Sequence, residues 1–452
     1  VFEKINRIYF VGIGGSGMSG IAEMLLNLGY QVSGSDMKES AAVRRLRKMG
    51  ADIKIGHSRK NIKEPHVVVV SSAIKEDNSE VAESHEKKIP VIPRAEMLAE
   101  LMRIKYSICV AGTHGKTTTT SLIGMMLLES GLDPTVVVGG LIKNLKSSVK
   151  LGKGEFIAAE ADESDGSFLH YSPTIGVVTS IDNDHMDYYK DMNSVREIYT
   201  RFLNKVPFYG FSVLFGDDEN VRKIIPALRR PYKTYGLKSS NDYYAVDCEL
   251  AAGKSVYTAC SKGSKLGVVE IKSSGMHNIL NSLAAIAVGM EMGLDFEKLK
   301  GGIACYEGVG RRLEKAGEKG GILFYDDYAH HPSEIKLSLS SLNDIYPERR
   351  IIAVFQPHRY SRTRDLFTEF PEAFSSADMV YITSIYGAGE PPIEGVTSEL
   401  IVREFEDEKR VKYFPSRRDL LEELENNLTP GDICITLGAG DINSIPFEIL
   451  KR

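Results

Sequence analysis

The chain lacks the cysteine pattern of a disulfide framework or a structural zinc site. Its five cysteines, Cys109, Cys248, Cys260, Cys305 and Cys434, are far apart and form no Cys-x-x-Cys. No apolar run approaches the ~20 residues of a membrane span, and the opening residues carry no signal-peptide pattern. These absences predict a cytoplasmic protein with no membrane partner. Basic charge is not in excess either: 56 Lys and Arg stand against 61 Asp and Glu, for a net charge of −5, so general nucleic-acid binding is not expected. There is no low-complexity tract and no short-period repeat. What remains is 452 residues, 42% hydrophobic and 26% charged. That is an ordinary globular composition, long enough for about three domains at ~150 residues each.

The most informative stretch is Gly112-Thr113-His114-Gly115-Lys116-Thr117-Thr118. The apolar run Tyr106-Ser-Ile-Cys-Val-Ala111 before it reads as a buried strand, and Ser121 to Ser130 after it reads as a helix. A strand, a glycine turn, Lys-Thr and a helix start make a phosphate cradle, in which backbone N–H groups and the helix dipole favour anionic oxygens. Lys116 adds positive charge and Thr117 offers a hydroxyl to Mg²⁺. The turn is shorter than a standard P-loop, whose first glycine would fall at Val110. Four threonines, Thr117 to Thr120, are poor helix-core material and suggest a helix start facing phosphate and metal. Nucleoside triphosphate binding is the expectation.

The predicted fold class is α/β in three domains. Residues 1–102 read as a Rossmann-like unit, with strands at Arg7-Ile-Tyr-Phe-Val11, Tyr30 to Ser35, Val67 to Ser72 and Pro90-Val-Ile92. The stretch from Pro93 to Lys105 reads as a connector. Residues 103–309 read as a P-loop-type mononucleotide-binding domain with a mostly parallel sheet and strands at 156–160, 175–180 and 211–215. Between Asp242 and Lys272 the pattern turns to short β-rich runs, which suggest an antiparallel flap or side sheet. Helical periodicity returns from Asn278. Residues 310–452 read as a second Rossmann-like α/β unit, with strands at 321–325, 351–355, 379–383 and 432–437.

Gly12-x-Gly14-x-x-Gly17, with Asp36 near the position of a ribose-binding acid, matches the dinucleotide fingerprint. Alone it reads as a nicotinamide-dependent dehydrogenase, but the same turn holds any nucleoside diphosphate, and a UDP-type ligand fits a chain with a second nucleotide loop. Glu160-Ala-Asp162-Glu163-Ser164-Asp165 and Asp182-Asn-Asp184-His185-Met-Asp187 each follow a strand, where acids commonly serve Mg²⁺. Asp326-Asp327-Tyr328-Ala329-His330-His331 and Gln356-Pro-His358-Arg359-Tyr-Ser-Arg362 stand at further strand ends, suited to gripping phosphate or a carboxylate.

Together these motifs, with His277-Asn278-Ile-Leu-Asn281, Gly310-Arg-Arg312 and Gly438-Ala-Gly-Asp441, run the length of the chain in the order of the Mur ligases, the ATP-dependent amide-forming enzymes of peptidoglycan synthesis, which the chain resembles. The resemblance implies that UDP lies on Gly14, Gly15, Ser16 and Gly17, with Asp36, His57, Ser71 and Ser72 as further contacts to the UDP-sugar. It implies ATP on Gly112 to Thr118, with adenine near His277, Asn278 and Asn281 and with Arg312 and Asp327 reaching in from the third unit. Mg²⁺, or Mn²⁺ in its place, would use Thr117 and Glu160, and a second ion Glu160 and His185. Lys116, His185, His330 and Arg359 are the expected catalytic residues. Tyr328, His358, Arg359 and Arg362 are expected to handle the amino acid and an acyl phosphate, with His330 or His331 as the base. Some relatives carry a carbamylated lysine where this chain has Thr200.

The implied reaction phosphorylates the lactyl carboxylate of UDP-N-acetylmuramate and passes it to the amine of L-alanine. A sister ligase attaching a peptide to the same sugar is the alternative. A dehydrogenase, or a nucleotide switch without ligation, is more remote. The implied partners are these small molecules, without nucleic acid, and the chain is expected as a monomer or weak dimer.

Overall fold

The computed structural model describes residues 6–451 apart from 72, 104, 146, 165, 185 and 187. The chain builds three sheets in sequence. The first contains β1 (Arg7–Val11), β2 (Gln31–Asp36), β3 (Asp52–Ile55), β4 (Val67–Val70) and β5 (Val91–Pro93) in the order β3-β2-β1-β4-β5. All its pairings are parallel. The order reverses between β1 and β4, where open sheets of this kind leave a ligand crevice.

The second sheet has ten strands: β6 (Tyr106–Ala111), β7 (Thr135–Ile142), β8 (Ser147–Lys150), β9 (Phe156–Glu160), β10 (Ile175–Val178), β11 (Phe211–Phe215), β12 (Tyr232–Gly236), β13 (Tyr243–Ala251), β14 (Lys254–Ser261) and β15 (Ser264–Ile271). Its order is β15-β14-β13-β12-β11-β10-β6-β9-β7-β8. The strands at its centre are buried on both faces, which is why β6 and β10 read as unbroken apolar runs. The helix Lys116–Glu129 lies against this sheet and the helices Met276–Glu291 and Phe296–Cys305.

The third sheet is β16 (Glu314–Lys319), β17 (Ile322–Asp327), β18 (Ile351–Phe355), β19 (Met379–Thr383), β20 (Val411–Phe414) and β21 (Ile433–Leu437), in the order β16-β17-β21-β18-β19-β20. Only its β16 edge pairs antiparallel.

The antiparallel runs expected between 242 and 272 are present, and they extend the main sheet. β13 joins β12 in parallel through Tyr235 and Gly236, and the antiparallel β13-β14-β15 meander continues the main sheet. Asp242 makes the join by accepting from the backbone N–H and hydroxyl of Thr234 at 2.8 and 3.0 Å. The presumed connector is largely the helix Arg94–Met102, which begins after Pro93 and buries Met97, Leu98, Leu101 and Met102. Its apolar face packs on the first long helix, Ser16–Asn27.

The first two units share one apolar core, which runs from Ile8 and Leu25 through Leu98 to Val149, Ile157 and Phe202. The third unit has cores of its own. Among the described residues, no helix is long and apolar enough to cross a membrane.

Candidate active site

Each nucleotide turn is a strand end running into a helix. In the first unit, Gly12 turns at φ 81°, a conformation open to glycine, and the helix Ser16–Asn27 starts after Gly15. Asp36 at the end of β2 accepts from the Gly14 N–H at 2.7 Å and the Lys38 N–H at 3.1 Å. It therefore braces the turn, in addition to any role toward a sugar. His57 stands 2.9 Å from the Ser35 hydroxyl and 3.1 Å from Glu80. Ser71 follows β4 across the crevice. Gly17 is covered by the guanidinium of Arg94, a residue inside the supposed connector that the motifs did not single out. Ser72, His185 and the side chain of Ser16 lie outside the described residues.

In the central unit, Gly112 (φ 133°) and Gly115 (φ 80°) bend the loop so that the helix Lys116–Glu129 points its N-terminus at the cleft. Lys116 Nζ donates to the carbonyls of Gly112 and Thr113 at 2.7 and 3.2 Å and to Glu163 at 2.8 Å. Burial works against its charge, but Glu163, Asp162 and Glu160 hold it protonated. Glu163 is pushed up to about 7 by burial, with Lys116 opposing, and its second carboxylate oxygen is buried with no partner among the described residues.

Thr117 faces both oxygens of Glu160 at 3.0 Å, and Glu160 also takes the Gly139 N–H at 2.7 Å. Hydroxyl and carboxylate oxygens are the donor set a hard divalent cation takes. The expectation for the threonine run holds only in part. Thr119 and Thr120 are fully buried, Thr119 bonding Asn281 at 3.1 Å and Thr120 its own helix at the Lys116 carbonyl.

A cavity of about 300 Å³ opens beside the loop, lined by His114, Gly115, Thr117 and Thr118 from the central unit and by Arg312 and Asp327 from the third. His277, Asn278 and Asn281 form its far wall. The nucleotide-loop residues and the proposed adenine contacts thus meet in one pocket. His277 Nε2 lies 3.1 Å from the Asn278 amide nitrogen, leaving Nδ1 buried with no partner among the described residues. Burial, helped by Arg312, pushes this imidazole down to about 4, so it is neutral. Asp327, pushed up to about 6 by burial, accepts from the N–H groups of Leu313 and Ala329 and from Ser338, each at 2.9 Å.

Polar groups close the seam between the central and third units. His114 lies 3.3 Å from Asp182 and 3.3 Å from Glu334. Burial alone would depress its pKa, but these two carboxylates lift it to about 9. Ser333 donates to Asp182, and His331 Nε2 meets the Asn183 carbonyl at 3.0 Å. Arg362 reaches both oxygens of Asp184 at 3.0 and 3.3 Å. The acidic run expected to carry a second metal thus supplies, through Asp182 and Asp184, the holds for the third unit. Glu334 was missed because only the fold brings it to His114.

On the far side of the seam, a small cleft is lined by Asp184, Arg359 and Arg362. Arg359 sits at φ 70°, a strained backbone for a residue with a side chain. His330 Nδ1–H donates to the Tyr328 carbonyl at 2.9 Å, and burial lowers the ring to about 4. His358 is lowered to about 3 by burial and by neighbouring His330 and Arg362. Both rings are neutral, with lone pairs available but weakly basic. Tyr328 lies under Arg311 and Arg312 at 5.1 and 5.4 Å. Thr200 turns its hydroxyl to the Arg196 carbonyl of its own helix at 2.8 Å.

Three consecutive family models cover this architecture. Residues 7–106 match "Mur ligase family, catalytic domain", residues 110–289 "Mur ligase middle domain" and residues 311–440 "Mur ligase, glutamate ligase domain". The chain belongs to the Mur ligase family. A UDP-N-acetylmuramate–L-alanine ligase from Desulfatibacillum aliphaticivorans is 52% identical over 452 residues, covering 100% of this chain and 99% of its own. One of the same name from Geobacter sp. (strain M21) is 50% identical, covering 100% and 98%. The crystal structure of UDP-N-acetylmuramate-alanine ligase from Thermotoga maritima superimposes with a TM-score of 0.79 at 27% identity, over 99% of this chain and 98% of that one. In this Mur ligase, the central and third units meet directly over the Gly-Lys-Thr loop.

Proposed function

We propose that the chain joins L-alanine to the lactyl carboxylate of UDP-N-acetylmuramate, with ATP converted to ADP and phosphate, in the synthesis of peptidoglycan precursors. The observation that carries this reading is the pocket shared by the Gly112–Thr118 loop, His277, Arg312 and Asp327, in a chain half identical over its full length to ligases of that name.

A carboxylate is a poor electrophile at neutral pH, so it attacks the γ-phosphate of ATP, releasing ADP and forming an acyl phosphate; the amine of L-alanine then attacks the acyl carbonyl, and phosphate leaves as the amide forms. Attack of one anion on another needs its charge neutralised. Lys116 leaves its resting bonds to the loop carbonyls and Glu163 and turns to the phosphates. Thr117 and Glu160 would hold Mg²⁺, or Mn²⁺ in its place, and the ion would supply further positive charge for phosphoryl transfer. The orphaned His277 Nδ1 offers adenine a hydrogen bond, with Asn278 and Asn281 beside it. In the first unit, the turn from Gly14 to Gly17 binds the diphosphate, with Arg94 above it.

Arg359 grips the carboxylate of alanine, and Arg362, anchored on Asp184, borders the same cleft. The neutral His330 accepts the amine proton as the bond forms. The polar seam excludes water, which would otherwise hydrolyse the acyl phosphate.

The test is phosphate release from ATP across a panel of amino acids, with and without UDP-N-acetylmuramate. Release that needs both the sugar and L-alanine supports the reading. Release with a preformed tripeptide but not with L-alanine makes the chain the sister ligase, and none with either rejects ligation.

A further inference from the structure

In the first unit a carboxylate is fully buried. Glu80, on the helix Ser79–Glu86, is 0% exposed, and five groups converge on it. Its Oε1 accepts from the Tyr9 hydroxyl at 2.9 Å, the Asn61 amide at 2.6 Å and the Ser58 N–H at 3.2 Å. Its Oε2 accepts from the Ser35 hydroxyl at 2.5 Å and faces His57 Nδ1 at 3.1 Å. Tyr9 remains a donor, because burial and Glu80 itself push its phenol far up.

The hydrogens in this network can be counted. His57 Nδ1 is also 2.9 Å from Ser35 Oγ. Ser35 has one hydroxyl hydrogen, and it goes to Glu80. A carboxylate has none to give. Nδ1 touches both oxygens, so it must carry the hydrogen itself. Nε2 has no partner among the described residues, and the side chain keeps 15% exposure. The residue follows β3 beside Asp36, whose carbonyl takes the Gly56 N–H at 2.9 Å and whose carboxylate braces Gly14. The ring thus stands at the carboxyl edge of the sheet, near the turn that starts the first helix.

We infer that Glu80 is a positioning residue for the sugar nucleotide: it fixes the His57 ring with the hydrogen on Nδ1, so that the Nε2 edge is held toward the sugar nucleotide. This rests on the reading of the first glycine turn as the UDP-sugar site. The ring is met directly by Glu80 from its helix and Ser35 from β2, while Tyr9 from β1 acts through Glu80. Arg59 turns away to Glu83 and Glu86.

Glu80→Gln keeps the shape but turns one of the two acceptor oxygens into a donor. The KM for UDP-N-acetylmuramate is expected to rise about tenfold, with kcat and the KM values for ATP and L-alanine within about twofold. In a His57→Gln background, Glu80→Gln adds nothing further. An unchanged KM, or an equal rise in the His57→Gln background, overturns the inference. Should Glu80→Gln not fold, nitrogen-15 NMR of the histidines in the intact wild-type protein, assigned with His57→Gln, decides. Nδ1 protonation supports the inference, and a lone Nε2–H tautomer overturns it.

Failure of the functional reading looks different. If wild-type protein releases no phosphate in response to the UDP-sugar, that reading falls, while the tautomer is still measured. If ligation proceeds but His57→Gln leaves the sugar KM untouched, only this inference falls.

Discussion

The molecule has two internal joints built from opposite materials. Between the first and central units, one apolar core runs through, with the helix Ser16–Asn27 set directly on Val149 of β8 at Gly20. Between the central and third units, the holds are ion pairs and hydrogen bonds: His114 with Glu334, Arg362 with Asp184 and Ser333 with Asp182, as described above, and also Lys143 with Glu314 at 2.7 Å. Apolar burial is non-directional and strong only when water is fully excluded. Charge pairs can part and be rehydrated at modest net cost. The contrast assigns rigidity to the sugar side and mobility to the side where ATP and the amino acid enter. A ligase that must admit two substrates and then exclude water needs one such joint of each kind.

The largest effect expected is from Lys116→Ala. The residue lies on the mobile side, so turnover should fall by about a thousandfold or more, as for loss of a charged transition-state contact in a dry site. UDP-sugar affinity, held across the rigid joint, should stay nearly unchanged. Calorimetric titration of the UDP-sugar beside single-turnover kinetics reads both. Equal loss of both would join the two sites and erase the contrast.

Next is the polar joint itself. Arg362 and Asp184 are nearly buried, with side chains 8% and 11% exposed, so deleting Arg362 takes a close positive charge away from the Asp184 carboxylate. Arg362→Ala should weaken closure by about 2–3 kcal/mol. It should be seen as an increased uncoupled hydrolysis of ATP relative to ligation. The double variant with Asp184→Asn should recover part of the loss. No recovery would mean that Arg362 acts on substrate alone.

The apolar joint should respond as a core. A Cβ added at Gly20 meets the side chain of Val149, so Gly20→Ala should cost about 1–3 kcal/mol of stability through overpacking, despite the better helix propensity of alanine. Urea unfolding measures it. An unchanged or raised midpoint would show slack in this joint and remove the basis for calling it rigid.

How much of this was legible in the sequence follows the same division. Strands buried on both faces announce themselves as apolar runs, so β1, β6, β10, β18 and β21 were readable, as were the two glycine turns that start helices. The helix Arg94–Met102 was not, because nine residues after a proline look like a linker until their apolar face meets another helix. With it went Arg94. The continuity of β12 into β13 depends on backbone pairing over two residues, which leaves no periodic signal. The pocket residues of the central unit were visible as motifs. The seam was not: Asp182 and Ser333 are 151 positions apart, and nothing local marks Glu334 as the partner of a loop histidine. Glu80 was hidden for the same reason, since its donors come from four separate elements.

The smallest effect sharpens the contrast through pH. In the folded protein His114 is lifted to about 9 against an ordinary value of 6.5. A raised histidine contributes stability that is fully present below the unfolded value and is lost as pH rises through the folded one. The polar joint should therefore loosen between about pH 6.5 and 9, by roughly 1–3 kcal/mol at most. Glu163 titrates lower, near 7, so the upper half of that window belongs to His114. Thermal unfolding of the ligand-free protein should fall across it. His114→Gln should flatten the slope, while Gly20→Ala should lower the curve without changing its shape. A slope that survives His114→Gln would place the titrating group outside the seam, and the two joints would no longer differ in the way their chemistry requires.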